Sequence, residues 1–140
     1  MEEEIGAARE WEIAQQLVEK KAQVKVSVAL PQMKVVAQSD AAWSKSSLNA
    51  GLGWVVSTPE NHTEGSRSAS FIPSVLIAEG LALREGVEAC RSLGVKEVRF
   101  ESDSAQLIKA INRKEPPLEI YGIVSDILAL SIEFDVVVFV

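Results

Sequence analysis

The order of strand-like and helix-like segments from Lys34 onward is the feature that most narrows the folds open to this chain. Lys34 to Trp43 reads as a strand, after which a polar cluster, Ser44 to Asn49, turns the chain. Ala50 to Ser57 reads as a second strand. The polar stretch Thr58 to Arg67 suggests a loop or hairpin, and Arg67 to Ile72 alternates well enough for a third strand. Three strands with short turns predict an antiparallel meander. Pro73-Ser74 then opens a helix through Leu93, with Gly94 placed to cap it. Val95 to Glu101 follows as a strand, Asp103 to Arg113 as a short helix, and Leu118 to Ile132 as a further helix after the Pro116-Pro117 break. Asp135 to Val140 is the last strand. Helices alternating with strands after a meander predict an α/β fold, a mixed sheet with helices packed on it.

Residues 1–32 read differently. Ala7 to Lys20 has helical spacing, with Trp11, Ile13, Ala14, Leu17 and Val18 forming a partial apolar face before Pro31 breaks the pattern. We read these residues as a helical or mobile lead-in, and residues 33–140 as one domain. The opening Met-Glu-Glu-Glu is acidic where a secretory signal is basic, and no apolar signal core follows, so an intracellular protein is the default expectation. The longest apolar run, Val136 to Val140, is far short of a membrane span. Cys90 is the only cysteine and lies in a helical pattern, which predicts a small core residue. His62 is the only histidine and falls in the polar stretch, so a structural zinc site is not expected. The net charge of −6 argues against a surface that clamps nucleic acid all over, but an acidic cluster that gathers cations stays compatible with it.

The informative residues are acids in places where local structure does not ask for them. Asp40 falls inside the first strand, where aspartate is disfavoured, unless that strand ends early in a turn. Glu79 has Val75, Ala82, Leu83 and Gly86 as its helical neighbours, which places it on the packed face. A carboxylate there must be paired, protonated or metal-bound, unless the helix is rotated to give it water near its first turn. Asp103 follows the fourth strand and, with Gln106 three residues on, also suits an ordinary helix N-cap. Together the three acids could meet at one edge of such a sheet. Hard oxygen ligands clustered in this way select magnesium or manganese.

Four phrases carry a resemblance: Ser39-Asp40-Ala41-Ala42-Trp43, Ala50-Gly51-Leu52-Gly53-Trp54-Val55, Ala78-Glu79-Gly80-Leu81-Ala82-Leu83-Arg84 and Glu101-Ser102-Asp103-Ser104. In this order and spacing they resemble the ribonuclease H-like superfamily. More narrowly, they are similar to the ribonuclease H-like domains of plant non-LTR retroelement reverse transcriptases and their domesticated relatives. The resemblance covers about residues 34–140. It implies a five-stranded mixed sheet, a three-strand meander plus two parallel strands, and an endonuclease that hydrolyses the RNA strand of RNA–DNA hybrids with two magnesium ions. It further implies that Asp40 bridges both metals while Glu79 and Asp103 hold the one on the leaving-group side, and that nucleic acid, read by shape, is the partner. A catalytically silent binding or interaction module that keeps the fold is the alternative.

The sequence departs from the family pattern in three places. Ala41 stands where many members have glycine, and Gly80 where alanine is usual, which weakens the helix slightly. The family pattern also continues past the fifth strand to a histidine-bearing loop and a helix with a fourth aspartate, whereas this sequence ends at Val140. Asp126 and Asp135 are late acids but belong to earlier elements. The expectation is a weak or inactive ribonuclease as this chain stands. If the lead-in lies outside the core, deleting residues 1–32 should leave the melting temperature within a few degrees, the scale of roughly 1 kcal/mol in a domain this size. A calorimetric scan of the shortened chain checks this, and a much larger loss would place Trp11 and Leu17 in the core.

Overall fold

The computed structural model describes residues 33–140, so the expectations for the lead-in lie outside the described residues. β1 (Val36–Trp43), β2 (Ala50–Ser57) and β3 (His62–Ala69) are followed by α1 (Val75–Ser92), β4 (Glu97–Ser102) and α2 (Ala105–Arg113). A 3-10 turn (Leu118–Ile120), α3 (Tyr121–Ser131) and β5 (Val136–Phe139) complete the described chain. The strands form one sheet in the order β3-β2-β1-β4-β5. The meander is antiparallel, and β4 joins β1, and β5 joins β4, in parallel. This is the five-stranded mixed sheet expected from the sequence.

Period-two burial shows which face of the sheet is covered. In β1, Ala37, Ser39 and Ala41 are buried while Gln38, Asp40 and Ala42 are exposed. On the covered face, Val98 and Phe100 of β4 and Phe139 of β5 join Leu83, Val87, Cys90, Leu107, Ile111, Ile120, Val124 and Ile127 in the main core cluster. Phe100 stacks on Phe139 with centroids 5.3 Å apart and meets Phe134 at 5.7 Å. Cys90 is a fully buried core residue, as its pattern predicted, and burial pushes its thiol up to about 11. Each large aliphatic side chain buried here stabilises the fold by about 1.5–3 kcal/mol.

Helix α1 approaches the sheet closely because its inner face is built of small residues. Ala78 and Ala82 have no exposed surface, and Gly86 sits against Trp54. Gly80 has a similar use on the α3 side, where a methyl group would come within 3.1 Å of Ile123 Cγ2. The sequence departure at Gly80 therefore matches close α1–α3 packing. Ser74 caps the helix, its hydroxyl accepting from the Ile77 amide, and Gly94 takes the left-handed conformation (φ 73°) that ends it.

The third strand corrects the sequence reading. It runs from His62 to Ala69 rather than from Arg67 to Ile72, and the hairpin turn shrinks to the residues between Ser57 and His62. Thr58 closes that turn, its amide and hydroxyl donating to the Asn61 carbonyl and its hydroxyl accepting from the Asn61 amide. β3 is an edge strand exposed on most positions, so it needs no apolar alternation and leaves no period-two signal. His62 is its exposed first residue, 3.8 Å from Glu64. Beyond Ala69 the ladder ends: Phe71 adopts φ 60°, and the Ile72 amide bonds to Leu48 instead. The Trp43 indole N–H donates to the Ile72 carbonyl at 2.8 Å and ties this connection to β1.

Gly65 is required by close approach. The Trp54 indole lies across it so tightly that a methyl group would overlap the ring. Gly65→Ala should therefore cost about 1–3 kcal/mol, the usual range for overpacking. A denaturant titration read by tryptophan fluorescence should show a lower midpoint with an unchanged slope.

Candidate active site

Sheet register brings the two aspartates together. In the parallel pair Ser39 lies opposite Ser102, so the residue after each, Asp40 in β1 and Asp103 just past the end of β4, falls at the same level. α1 lies over β1 and supplies Glu79 from above. One carboxylate oxygen from each of Asp40, Glu79 and Asp103 lies within 4.8 Å of the others. All three acids singled out in the sequence thus converge.

The structure also decides the alternatives left open for each. Asp40 is not in a turn, because β1 continues through Trp43. Glu79 is not rotated to water; it is 6% exposed. Asp103 is not the cap of α2. Ser104 is, its hydroxyl accepting from the Leu107 amide at 3.3 Å. Sequence reasoning missed this cap, although the run Ser102-Asp103-Ser104 held the signal. The buried Ser102 hydroxyl accepts from the Ser104 amide at 3.2 Å and fixes the bend that presents Asp103. With capping done by its neighbour, the Asp103 carboxylate is left for other work.

The electrostatics are those of acids held together against their repulsion. Burial first, then the charges of Asp103 and Asp40, push Glu79 up to about 9. Asp103 is raised as well, by burial and then by Asp40. Asp40 and Glu79 both draw on the Ala41 amide, which lies 2.9 Å from Asp40 Oδ1. Glu79 Oε2 is buried and has no hydrogen-bond partner. A buried carboxyl group with one oxygen lacking a donor, grouped with two further carboxylates, fits a divalent cation better than it fits three bare charges. On the side of the sheet away from α1, a groove of about 330 Å³ reaches Asp40 and is lined by Gln38, Gly53, Val55 and Glu64. Gly53, opposite Asp40, carries no side chain to block it.

Neither late acid joins the cluster. Asp126 is exposed and bonds to Arg84 at 2.8 Å, and Asp135 is exposed beside β5. Among the described residues the group has three members. No described helix is long and apolar enough to cross a membrane.

Residues 38–140 match the profile of a family described as reverse transcriptase-like. Among curated proteins none matches the chain in sequence. Among solved structures, RNase H1 from Halobacterium salinarum superposes with a TM-score of 0.69 at 21% identity, covering 76% of this chain and 83% of that one. The N-terminal RNase H domain of a Mycobacterium tuberculosis protein gives 0.68 at 20%, covering 75% and 83%. LC11-RNase H1, solved in complex with an RNA/DNA hybrid, gives 0.67 at 21%, covering 76% and 83%. At these identities the likeness is one of fold.

The raised Glu79 makes a signed prediction for the protein stripped of metal with EDTA. A carboxyl raised in the folded state favours folding while it is protonated in both states, below about 4.5, and loses that advantage as pH rises toward about 9. Glu79→Gln removes the titration. The variant's melting temperature should match the wild type near pH 5 and exceed it by about 4 °C or more at pH 8. Parallel melts across that range check it.

Proposed function

The chain belongs to the reverse transcriptase-like family and has the ribonuclease H-like fold, and from that premise we propose that it binds RNA–DNA hybrids and hydrolyses the RNA strand at Asp40, Glu79 and Asp103. The observation that carries this reading is the convergence of the three carboxylates, with Glu79 buried and one of its oxygens unpartnered. A structural neighbour solved with an RNA/DNA hybrid supports the choice of substrate. The narrower kinship with plant retroelement domains rests on the four sequence phrases.

The donor set fits magnesium or manganese: it is all carboxyl oxygen and part buried. A bound divalent cation supplies Lewis acidity at the phosphodiester and an activated water. The residues divide the remaining work. Glu79 holds its carboxylate from inside the fold, under α1, where water is excluded. Asp40 is exposed and stands between the inner acid and the groove from which substrate arrives. Asp103, on its braced bend, completes the set.

A second reading, a hybrid-binding module without catalysis, is favoured by the cluster's holding three acids among the described residues. Three carboxylates serve one ion well, but a second ion would depend largely on substrate phosphate. The expected behaviour of the 140-residue chain is therefore slow cleavage with magnesium and faster cleavage with manganese. Manganese should broaden the NMR signals around Asp40, Glu79 and Asp103 before any others. A labelled hybrid should be cut slowly by the wild type and at least about 100-fold more slowly by Asp40→Asn, given the share of catalysis that metal activation supplies. Broadening spread evenly over surface acids would sink the metal site, and focused broadening with no cleavage would select the silent module.

A further inference from the structure

In a chain of net charge −6, cations are expected to find acids, and among the described residues the other arginines do. Arg67 bonds to Glu85 at 2.6 Å and Arg84 to Asp126 at 2.8 Å, and Arg99 forms an ion pair with Glu101, Nε to Oε2 3.0 Å. Arg91 holds both Glu88 at 2.6 Å and Glu133 at 3.2 Å. Among the described residues Arg113 is the arginine in no ion pair, and no lysine enters one; of these cations Lys109, Arg113 and the cap residue Lys114 lie together on α2 and its end. The helix, Ala-Gln-Leu-Ile-Lys-Ala-Ile-Asn-Arg, contains no acid at all.

Gln106, Lys109 and Arg113 recur at i, i+3 and i+7 and are exposed, while Leu107, Ile108, Ala110 and Ile111 are buried. With a rise of about 1.5 Å per residue, Lys109 stands about 6 Å and Arg113 about 12 Å along the axis from Ala105. Asp103 lies just ahead of that start. The cations therefore form a line leading away from the acid cluster. They border a groove of about 310 Å³ that Glu115 and Pro117 close. The helix dipole accounts for a cation in the last turn, where Arg113 sits. It does not account for Lys109 at mid-helix, nor for the lack of any acid partner.

We propose that Gln106, Lys109, Arg113 and Lys114 form a track for the sugar–phosphate backbone of the nucleic acid whose scissile bond lies at the acid cluster. This rests on the reading of that cluster given above. A protein partner would need an apolar anchor at the centre of its contact, and the exposed face of α2 offers only polar side chains. A phosphate backbone needs only cations and hydrogen-bond donors, and these are what the face presents. Glu115 is the one acid beside the track and weakens it.

The test is fluorescence anisotropy of a labelled RNA–DNA hybrid bound by the full chain, with calcium in place of magnesium, across a salt series. Each lost phosphate contact lowers the slope of log K against log salt by about 0.9. The triple variant Lys109→Gln/Arg113→Gln/Lys114→Gln should lose about 2–3 from that slope and more than about 10-fold in affinity near 0.1 M salt. Lys34→Gln/Lys96→Gln, at the far end of the parallel strands, should leave both unchanged, and Glu115→Gln should tighten binding. A matching melting temperature for the triple variant shows that it folds. A wild type that binds no hybrid overturns the proposed function and the track with it. A wild type that binds, with the same slope in the triple variant, overturns the track alone. Displacement of the hybrid by poly-glutamate of equal charge would assign the face to an acidic protein and also overturn it.

Discussion

The parallel pairing of β1 with β4 is the constraint on which the rest of this structure depends. β1 is the strand at which the antiparallel meander meets the parallel half of the sheet. A parallel neighbour cannot be reached by a tight turn, so the chain must cross over the sheet between β3 and β4, and α1 is that crossover. The register Ser39 opposite Ser102 then does two things at once. It aligns Val98 and Phe100 with Ala37 under the helices, and it carries Asp40 and Asp103 to the same level of the sheet. A slip of one residue would turn Phe100 to the open face and separate the acids. The core and the site are fixed by the same pairing.

The crossover helix sets the cost that this arrangement carries. Ala78, Ala82 and Gly86 let α1 lie close on β1 and β2, and that closeness buries Glu79 between them. A carboxylate held there, beside two others, is driven toward its neutral form, and Glu79 is raised to about 9. Among the described residues no arginine or lysine relieves the strain. Arg84, on the same helix, turns outward to Asp126, and Arg99 pairs with Glu101. These two arginines serve outer acids, and among the described residues no cation stands beside Glu79. Such a cluster weakens the metal-free fold, and under the proposed function a divalent ion would relieve it.

The surface extends the same logic. β3, at one edge, is polar and exposed, and its glycine serves the packing of Trp54 rather than a turn. At the other side of the site, α2 begins where Asp103 ends. Ser104 caps the helix, Ser102 braces the bend, and the outer face carries Lys109 and Arg113, which enter no ion pair among the described residues. One short segment, Ser102 to Lys114, therefore supplies a carboxylate at its head and positive charge along its length. This is the pattern expected where an anionic polymer meets a metal site.

Much of this was legible in the sequence. Gly94 and Ser74 mark the ends of α1, and the spacing of Val87, Cys90 and their neighbours marks its buried face, because caps and periodicity are local properties. Asp40 and Glu79 stood out because each sits where its own element disfavours a charge, and Asp103 through its place after the fourth strand in the phrase Glu101-Ser102-Asp103-Ser104. The boundary of β3 was not legible. An edge strand held by backbone ladder bonds to β2 needs no apolar alternation, so His62 to Ser66 resembled a loop. The cap of α2 was misplaced by one residue, because Asp103 and Ser104 are both good N-caps and only the Ser102 hydroxyl decides between them. The sequence by itself determined which residues are unusual and which elements carry them. Only the tertiary structure decided that three acids spread over more than 60 residues share one site. That depends on strand register and helix approach, which are set by contacts between distant segments and leave no mark in any local window.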